Sequence, residues 1–315
     1  MKVYTLDIDS SERDPILYPG QNSYVIELKN PVYDIKKIKL LSAKIPHTQL
    51  LINNTNNTFS INNYNFTLSD RNYSNGYEIA SELQTNLDIQ TSNISSVTFE
   101  EETNSLLFSN IGTSNIFSLE FYSGTNGYLS EIENITTPHQ ILGFTSLDYT
   151  SKNGEIRSGS INLEGPNDII LRISSGSDDF NKSIYSNTPF YTGRILKNGN
   201  ITTYNGADDP IEHLFHSGQH KVLSHLKFEF FYMSHGRLIP YDFRNQDHIL
   251  KLELECSLNK LEGLPKVQKT FDLPPPISIP EFENPYKWKE YIYISVIVVV
   301  GTLLMMLLRP KRLSE

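Results

Sequence analysis

The chain has 315 residues, a formal net charge of −9 at neutral pH and a single cysteine, Cys256. The acidic balance disfavours sequence-independent binding of nucleic acid, because neutralising phosphates requires clustered lysine and arginine. One cysteine excludes an internal disulfide framework and is typical of a reducing compartment. Without its proline-rich and apolar C-terminal segments the chain keeps about 260 residues, enough for one large β domain or two small ones.

The first part of the chain shows short strands separated by turns. Residues 3–9, VYTLDID, alternate between apolar and polar side chains and predict a strand, and residues 24–28, YVIEL, predict a second. Residues 32–45 fit helix or strand, and their β-branched content and the proline that follows favour strand. The Asp7/Asp9 pair has no nearby histidine or calcium-loop glycine, so we interpret it as a solvated strand end rather than a metal site.

An asparagine-rich segment, residues 50–75, leads into a helix. The alternating stretches TFSI and YNFTL, set around asparagine turns, predict a hairpin. The apolar period then becomes helical, because Ile79, Leu83 and Leu87 recur every four residues. This pattern predicts one helix over residues 75–89.

Three strands are predicted after this helix, within SSVTFEEE, TNSLLFSN and IFSLEFYS. The stretch HQILGF then predicts a single helical turn capped by Gly143. Helix, strands and turn together predict a small α+β unit over about residues 74–147, inserted into an otherwise all-β chain.

The β pattern resumes after residue 150 in SGSINLEG, DIILRISS and FYTGRIL. Residues 223–233 alternate with leucine and aromatic side chains on one face, and residues 248–256 alternate again. We predict that these two segments form an antiparallel pair after a turn at His235-Gly236. Many short strands between Asn, Gly and Pro turns predict a mainly β fold, an antiparallel β-sandwich or jelly roll, for residues 1–261.

Residues 262–288 are rich in proline, with three in a row at 274–276. Prolines at this density predict an extended, semi-rigid strut that rises about 3.1 Å per residue, and a slack linker is the alternative.

Residues 289–309 contain the apolar run YIYISVIVVVGTLLMMLL and predict a single C-terminal transmembrane helix. At 1.5 Å per residue the run reaches about 27 Å, close to the thickness of the hydrocarbon core. A buried core helix is the alternative, but such a helix rarely lacks a polar face. We expect aromatic side chains at one interface, apolar ones in the hydrocarbon, and a short basic tail, residues 310–315, at the lipid phosphates. The predicted anchor residues are Trp288, Tyr291, Tyr293, Ile297, Val299, Leu303, Leu307, Arg309, Lys311 and Arg312.

The orientation of this span is predicted from its flanks. The N-terminal residues contain no apolar stretch of signal-peptide length, and only a short tail follows the span. We therefore expect insertion after synthesis, with the β domain on the cytosolic side. The basic tail argues weakly for the opposite orientation, because positive charge prefers the cytoplasm.

The histidines His213, His216, His220 and His225 form the cluster most suggestive of chemistry, because zinc binds imidazole. A Ser-Gly pair interrupts the run and further ligands at zinc spacing are lacking, so a loop is the favoured interpretation. The sequence has no phosphate-binding loop, no nucleophile elbow and no activating pattern around Cys256. We predict no enzyme activity and no catalytic, metal or cofactor site.

Three stretches within residues 7–257 carry a family resemblance. They are the opening DSSERDP…YPGQNSYVIELKNPVYDIKKIKLLSAKIPHTQLLINNTNN, the middle NYSNGYEIASELQTNLD…SVTFEEETNSLLFSN…ILGF and the closing LSHLKFEFFYMSHGRLIPYDFRNQDHILKLELEC. Together they resemble minor capsid proteins of large icosahedral nucleocytoplasmic DNA viruses. The resemblance implies a jelly-roll-like protein beneath a shell of major capsid protein, and in some relatives a terminal span that ties the shell to the inner membrane of the virion.

Anchor and resemblance together predict a structural virion protein between the capsid shell and the inner membrane. Its expected partners are the major capsid protein, other minor capsid proteins and the lipid bilayer, with no specific nucleic acid. One alternative is a membrane-tethered hydrolase with an unrecognised site. Another is a membrane-anchored, glycan-binding adhesin, whose translocated head would carry glycans at its Asn-x-Ser/Thr sequences. These sequences begin at Asn53, Asn56, Asn65, Asn72, Asn93, Asn134, Asn181 and Asn200.

Overall fold

The structure is a computed structural model of the chain. It describes residues 2–89, 94–110, 116–176, 178–180, 190–207, 209–215, 222–257 and 287–308. The chain divides into two compact units, Met1–Pro265 and Lys266–Glu315.

The first unit is built mainly of strands and contains one α-helix within the described residues. Its strands are β1 (Lys2–Asp9), β2 (Ser23–Tyr33), β3 (Ile35–Pro46), β4 (Thr58–Ile61), β5 (Tyr64–Thr67), β6 (Ser96–Glu100), β7 (Ser105–Ser109), β8 (Ser118–Glu120), β9 (Tyr149–Thr150), β10 (Glu155–Ser160), β11 (Asp168–Ser175), β12 (Asp178–Asp179), β13 (Gly193–Leu196), β14 (Ile201–Asn205), β15 (Ile211–Leu214), β16 (Val222–Ser234), β17 (Arg237–Pro240) and β18 (Ile249–Cys256). The helices are α1 (Gly76–Ile89) in this unit and α2 (Lys287–Leu307) in the second.

Two antiparallel sheets of the first unit form a sandwich. In one sheet β18 lies between β1 and β3, and β14 and β15 pair with the far side of β3. In the other, β16 lies between β11 and the strands β2 and β17, while β12 and β13 pair with the far side of β11.

The order of the eight main strands defines the topology. In chain order these strands are β1, β2, β3, β11, β13, β14, β16 and β18. One sheet then reads first-eighth-third-sixth and the other second-seventh-fourth-fifth, which is the strand order of a jelly roll. The predicted mainly β, antiparallel fold is confirmed.

The core between the sheets comes from alternate side chains of the central strands. Phe228 and Phe230 of β16 and Leu250, Leu252 and Leu254 of β18 are all fully buried and belong to one apolar cluster. Burying a side chain of this size contributes about 1.5–3 kcal/mol. The alternation read from the sequence therefore identifies the buried face of both strands correctly.

The predicted pairing of residues 223–233 with residues 248–256 is wrong. These segments are β16 and β18, and they lie in different sheets of the sandwich. The turn at His235-Gly236, where both residues have positive φ, instead connects β16 to the short strand β17. Alternation shows which face of a strand is buried, but it does not show which neighbour forms its hydrogen bonds.

The connection from β3 to β11 contains a second, smaller body. It has one sheet in the order β5-β4-β8-β9, another in the order β10-β7-β6, and helix α1. Its apolar cluster runs from Leu51 to Ile161 and includes Ile79, Leu83 and Leu87 of α1. The predicted insertion over residues 74–147 lies inside this range, and the β4–β5 hairpin and β10 share the same core.

Local signals predict this body well. The Asn75 side chain accepts a hydrogen bond from the Glu78 amide at 3.1 Å, and the Glu78 carboxylate accepts one from the Ser74 amide at 3.1 Å, so α1 begins with reciprocal caps. In the β4–β5 hairpin, β4 has the predicted bounds and β5 ends one residue before the end of the predicted stretch YNFTL. At the predicted single turn, the Leu142 amide donates to the Pro138 carbonyl at 3.0 Å, and Gly143 follows with a φ of 80°.

A buried histidine lies at one end of the sandwich. His248 is 1% exposed, shares a 2.9 Å hydrogen bond through Nε2 with the Tyr24 hydroxyl, and packs against the rings of Phe230 and Phe243. Its Nδ1 has no hydrogen-bond partner among the described residues. Burial lowers the pKa of His248 from 6.5 to about 3, so the imidazole is neutral in the folded chain.

We expect this histidine to make folding sensitive to acid. Below pH 6.5 the imidazole of the unfolded chain takes up a proton, whereas in the folded chain it stays neutral until the pH approaches its lowered pKa. Between pH 7.5 and pH 5 His248 should therefore lower the free energy of unfolding by about 2 kcal/mol. Guanidinium unfolding of the detergent-solubilised chain, followed by far-UV circular dichroism, measures this loss.

The matched variant is His248→Gln, which keeps a partner for Tyr24 but does not titrate. It should lose less stability than the native chain over the same interval. His139, whose pKa burial lowers to about 4, is present in both proteins and cancels in the comparison. An equal loss in both proteins would contradict the role of His248.

Candidate membrane anchor and contact surfaces

Helix α2 has the length and composition of a single membrane span. The candidate span Trp288–Leu307 has 20 residues, a mean hydropathy of 2.1 and no buried residue. At 1.5 Å per residue it reaches about 30 Å, the thickness of the hydrocarbon core. Its exposed apolar side chains surround the helix instead of forming one stripe, which suits surroundings that are apolar on every side.

The hydroxyl groups inside α2 are satisfied by the helix itself. The Ser295 hydroxyl donates to the Ile292 carbonyl at 2.8 Å, and the Thr302 hydroxyl lies 3.0 and 2.9 Å from the carbonyls of Val298 and Val299. An unsatisfied polar group in hydrocarbon costs several kcal/mol, so this bonding removes a barrier to insertion.

The predicted anchor residues fall into two groups. Those within α2 have exposed side chains, namely Trp288, Tyr291, Tyr293, Ile297, Val299, Leu303 and Leu307. Arg309, Lys311 and Arg312 lie outside the described residues, and their contact with lipid phosphates stays a prediction. Most of the predicted strut also lies outside, while α2 begins at Lys287, two residues before the predicted span.

A polar junction joins the inserted body to the jelly roll. The Arg237 guanidinium donates to the carbonyls of Ile135 at 3.0 Å, Gly127 at 3.3 Å and Tyr128 at 2.7 Å, and lies 4.4 Å from the centre of the Tyr128 ring. The Tyr128 hydroxyl is 2.9 Å from the buried Ser234 hydroxyl. The junction holds the two bodies in one orientation, and the sequence gives no sign of it because its partners lie far apart in the chain.

The histidine cluster separates in the structure. His213, on β15, stacks on Phe180 and meets Phe215 edge-on. His225, on β16, accepts a hydrogen bond from the Gly176 amide at 3.0 Å. His216 and His220 lie outside the described residues, among which no group of three or more potential metal ligands occurs.

The outer face of the sheet containing β1, β18 and β3 is charged. Lys37 on β3 pairs with Glu255 on β18 at 2.8 Å, and Lys251 on β18 pairs with Asp7 on β1 at 3.3 Å. Asp9 accepts a hydrogen bond from the Ser11 amide, which holds the pKa of its carboxyl below the usual value. The Lys251–Asp7 pair is exposed and contributes about 0–1 kcal/mol, whereas the Lys37–Glu255 pair is partly buried. The charged face is suited to water or to a polar partner.

An open cleft of about 400 Å³ lies between the inserted body and the jelly roll. Amide side chains dominate its lining, including Gln21, Asn54 and Asn245, together with Asp242 and Arg244. Its lining contains no histidine, cysteine or serine. Cys256 is buried inside β18, where burial raises the pKa of its thiol.

These observations define the protein as a jelly roll with an inserted α+β body and an apolar C-terminal helix. Residues 1–176 match the model of DUF5901, a family of unknown function, and the chain belongs to that family. No curated protein matches the chain.

Two solved virophage structures resemble the chain at low identity. The crystal structure of selenomethionine-labelled mavirus penton protein has a TM-score of 0.35 and 10% identity, covering 81% of this chain and 100% of that one. The 3.5 Å cryo-EM structure of the Sputnik virophage has a TM-score of 0.32 and 11% identity, covering 81% and 98%.

We expect Trp288, the sole tryptophan of the chain, to report the depth of α2 in a bilayer. Aromatic side chains at the end of a span lie at the headgroup level. In proteoliposomes, lipids brominated near the glycerol should therefore quench Trp288 more strongly than lipids brominated near the acyl terminus.

The matched control is the double variant Trp288→Phe/Ile297→Trp, which moves the indole to the middle of the span. Its quenching order should be reversed. If neither lipid quenched either protein, α2 would not enter the bilayer.

Proposed function

We propose that this chain is a structural viral protein, a minor capsid protein that ties the capsid shell to the inner membrane of the virion. One observation carries the proposal: a jelly-roll unit and a helix with the dimensions of a membrane span occur on the same chain. The three sequence stretches that resemble minor capsid proteins support the viral setting.

The anchor supplies the membrane end of the tether. Leucine, isoleucine and valine side chains at the centre of a span each favour insertion by about 0.3–0.6 kcal/mol, and α2 contains many of them. The internal bonding of Ser295 and Thr302 removes the main polar cost. Once inserted, such a helix leaves the bilayer too slowly to matter during assembly.

The jelly roll supplies the shell end. Strand β1 pairs with β18 alone among the described strands, so its other edge can accept a strand from a neighbouring protein. The charged outer face beside it provides polar contacts. Because the helix binds the membrane and the jelly roll binds the shell, the jelly-roll unit must lie on the same side of the bilayer as the shell.

Rigidity inside the first unit suits this mechanical role. The Arg237 junction and the shared hydroxyl bonds of Tyr128 and Ser234 resist rotation of the inserted body against the jelly roll. A neighbouring capsid protein that touches both bodies would meet one surface of fixed shape.

The experiment that tests the proposal measures recruitment of the shell protein to membranes. When the full chain is expressed with the major shell protein of the same genome, the shell protein should float with membranes in a sucrose gradient. The variant Val299→Arg/Leu303→Arg should abolish flotation, because each arginine at the centre of the span costs about 2.5–3.5 kcal/mol.

The matched control is Val299→Leu/Leu303→Val, which keeps the span apolar and should recruit as the native chain does. Flotation of the shell protein with the arginine variant would contradict the tether. A mobility shift after endoglycosidase treatment would place the β unit on the glycosylated side of the membrane and favour a surface adhesin.

A further inference from the structure

The connection between β1 and β2 displays two aliphatic side chains to solvent. Ile16 is 89% exposed and Leu17 is 68% exposed, and they are adjacent at the tip of the loop. Exposing a pair of large apolar side chains has a hydration cost that a covering partner would remove. We call residues 14–18 the tip loop.

Hydrogen bonds fix the backbone of the tip loop. The Asp14 carboxylate accepts from the amides of Ile16 at 2.8 Å and Leu17 at 3.2 Å. The Tyr18 amide donates to the Asp14 carbonyl at 2.8 Å, which closes the turn. The backbone that carries the two side chains is therefore fixed before any partner arrives.

The Arg13 side chain supports the backbone of the tip loop. Its side chain is only 10% exposed. It donates to the carbonyls of Tyr18 at 3.0 Å and Ser10 at 2.7 Å, and pairs with Asp247 at 3.3 Å. A guanidinium buried to support an exposed loop resembles the pre-organised support of binding surfaces, where less conformational entropy is lost on association.

Carboxylates predominate beside the tip loop in the chain. Asp9, Glu12 and Asp14 lie within or beside it in the chain, and Asp247 is bound to Arg13. Residues 9–14 and Asp247 together carry four carboxylates and one guanidinium, that of Arg13, so these residues are acidic as a group. An anionic lipid surface would repel these carboxylates, whereas a protein pocket rimmed by lysine or arginine would attract them.

We propose that Ile16 and Leu17 form a docking knob that enters an apolar pocket, rimmed by basic side chains, on a partner protein. This inference rests on the proposed function, under which the partner is the major shell protein. The residues that dominate an interface sit in well-packed, desolvated pockets. An aliphatic anchor in such a pocket, with a polar rim around it, can form the centre of an interface.

Binding measurements test the knob directly. The full chain in nanodiscs is presented to purified major shell protein, and affinity is measured by biolayer interferometry. The variant Ile16→Ser/Leu17→Ser, which removes apolar surface without changing charge, should bind at least about 30-fold more weakly. The control Leu147→Ser removes an aliphatic side chain that is 61% exposed in the inserted body, and its affinity should be unchanged.

The outcomes separate the two proposals. If the native chain does not bind the shell protein, both the tether and the knob are overturned. If it binds and the double serine variant binds equally well, the knob alone is overturned and the tether stands.

A fluorescent probe distinguishes a protein partner from the membrane. In Ile16→Cys the new thiol can be labelled selectively with an environment-sensitive dye, because Cys256 is 3% exposed. In proteoliposomes the emission should shift to the blue only when shell protein is added. A blue shift with the bilayer alone, growing with anionic lipid content, would overturn the proposal and assign the knob to the membrane.

Discussion

The burial of two apolar sheet faces against each other is the constraint on which the first unit depends. Phe228 and Phe230 of β16 and Leu252 of β18 are fully buried in one cluster, although no hydrogen bond joins the two strands. With this core in place, strand ends, turns and the inserted body all acquire fixed positions. Arg237 can reach three carbonyls of the inserted body because the β16–β17 hairpin is held by the core beneath it.

Features with local causes were predictable from the sequence. Helix α1 was predictable from apolar residues that recur every four positions and from the Asn75 cap. The β4–β5 hairpin was predictable from its asparagine turns. The pairing of β16 was not predictable, because strands of similar alternation compete for each place beside it. The junction of Tyr128 with Arg237 was equally hidden, since proximity in space depends on the completed fold.

The membrane anchor was predictable from the sequence, whereas the docking knob was not. Hydrocarbon selects for composition and length, so α2 was visible in the sequence as an apolar run. The knob was not visible, because Asp14, Pro15, Ile16 and Leu17 read as an ordinary turn. The proposed role of Ile16 and Leu17 depends on how exposed these side chains are and on the support that the Arg13 side chain gives the loop. Both properties follow from tertiary structure alone.

The position of the inserted body between β3 and β11 has a consequence for the order of folding. Among the described strands, those of the inserted body pair only with one another, between Thr58 and Ser160, so its core can be completed while the ribosome is still extending the polypeptide. The jelly roll cannot, because β1 waits for β18 at the opposite end of the unit. The nascent chain therefore carries a folded inserted body next to a jelly roll whose apolar sheet faces are still exposed. Strand β18 and helix α2 then emerge in close succession.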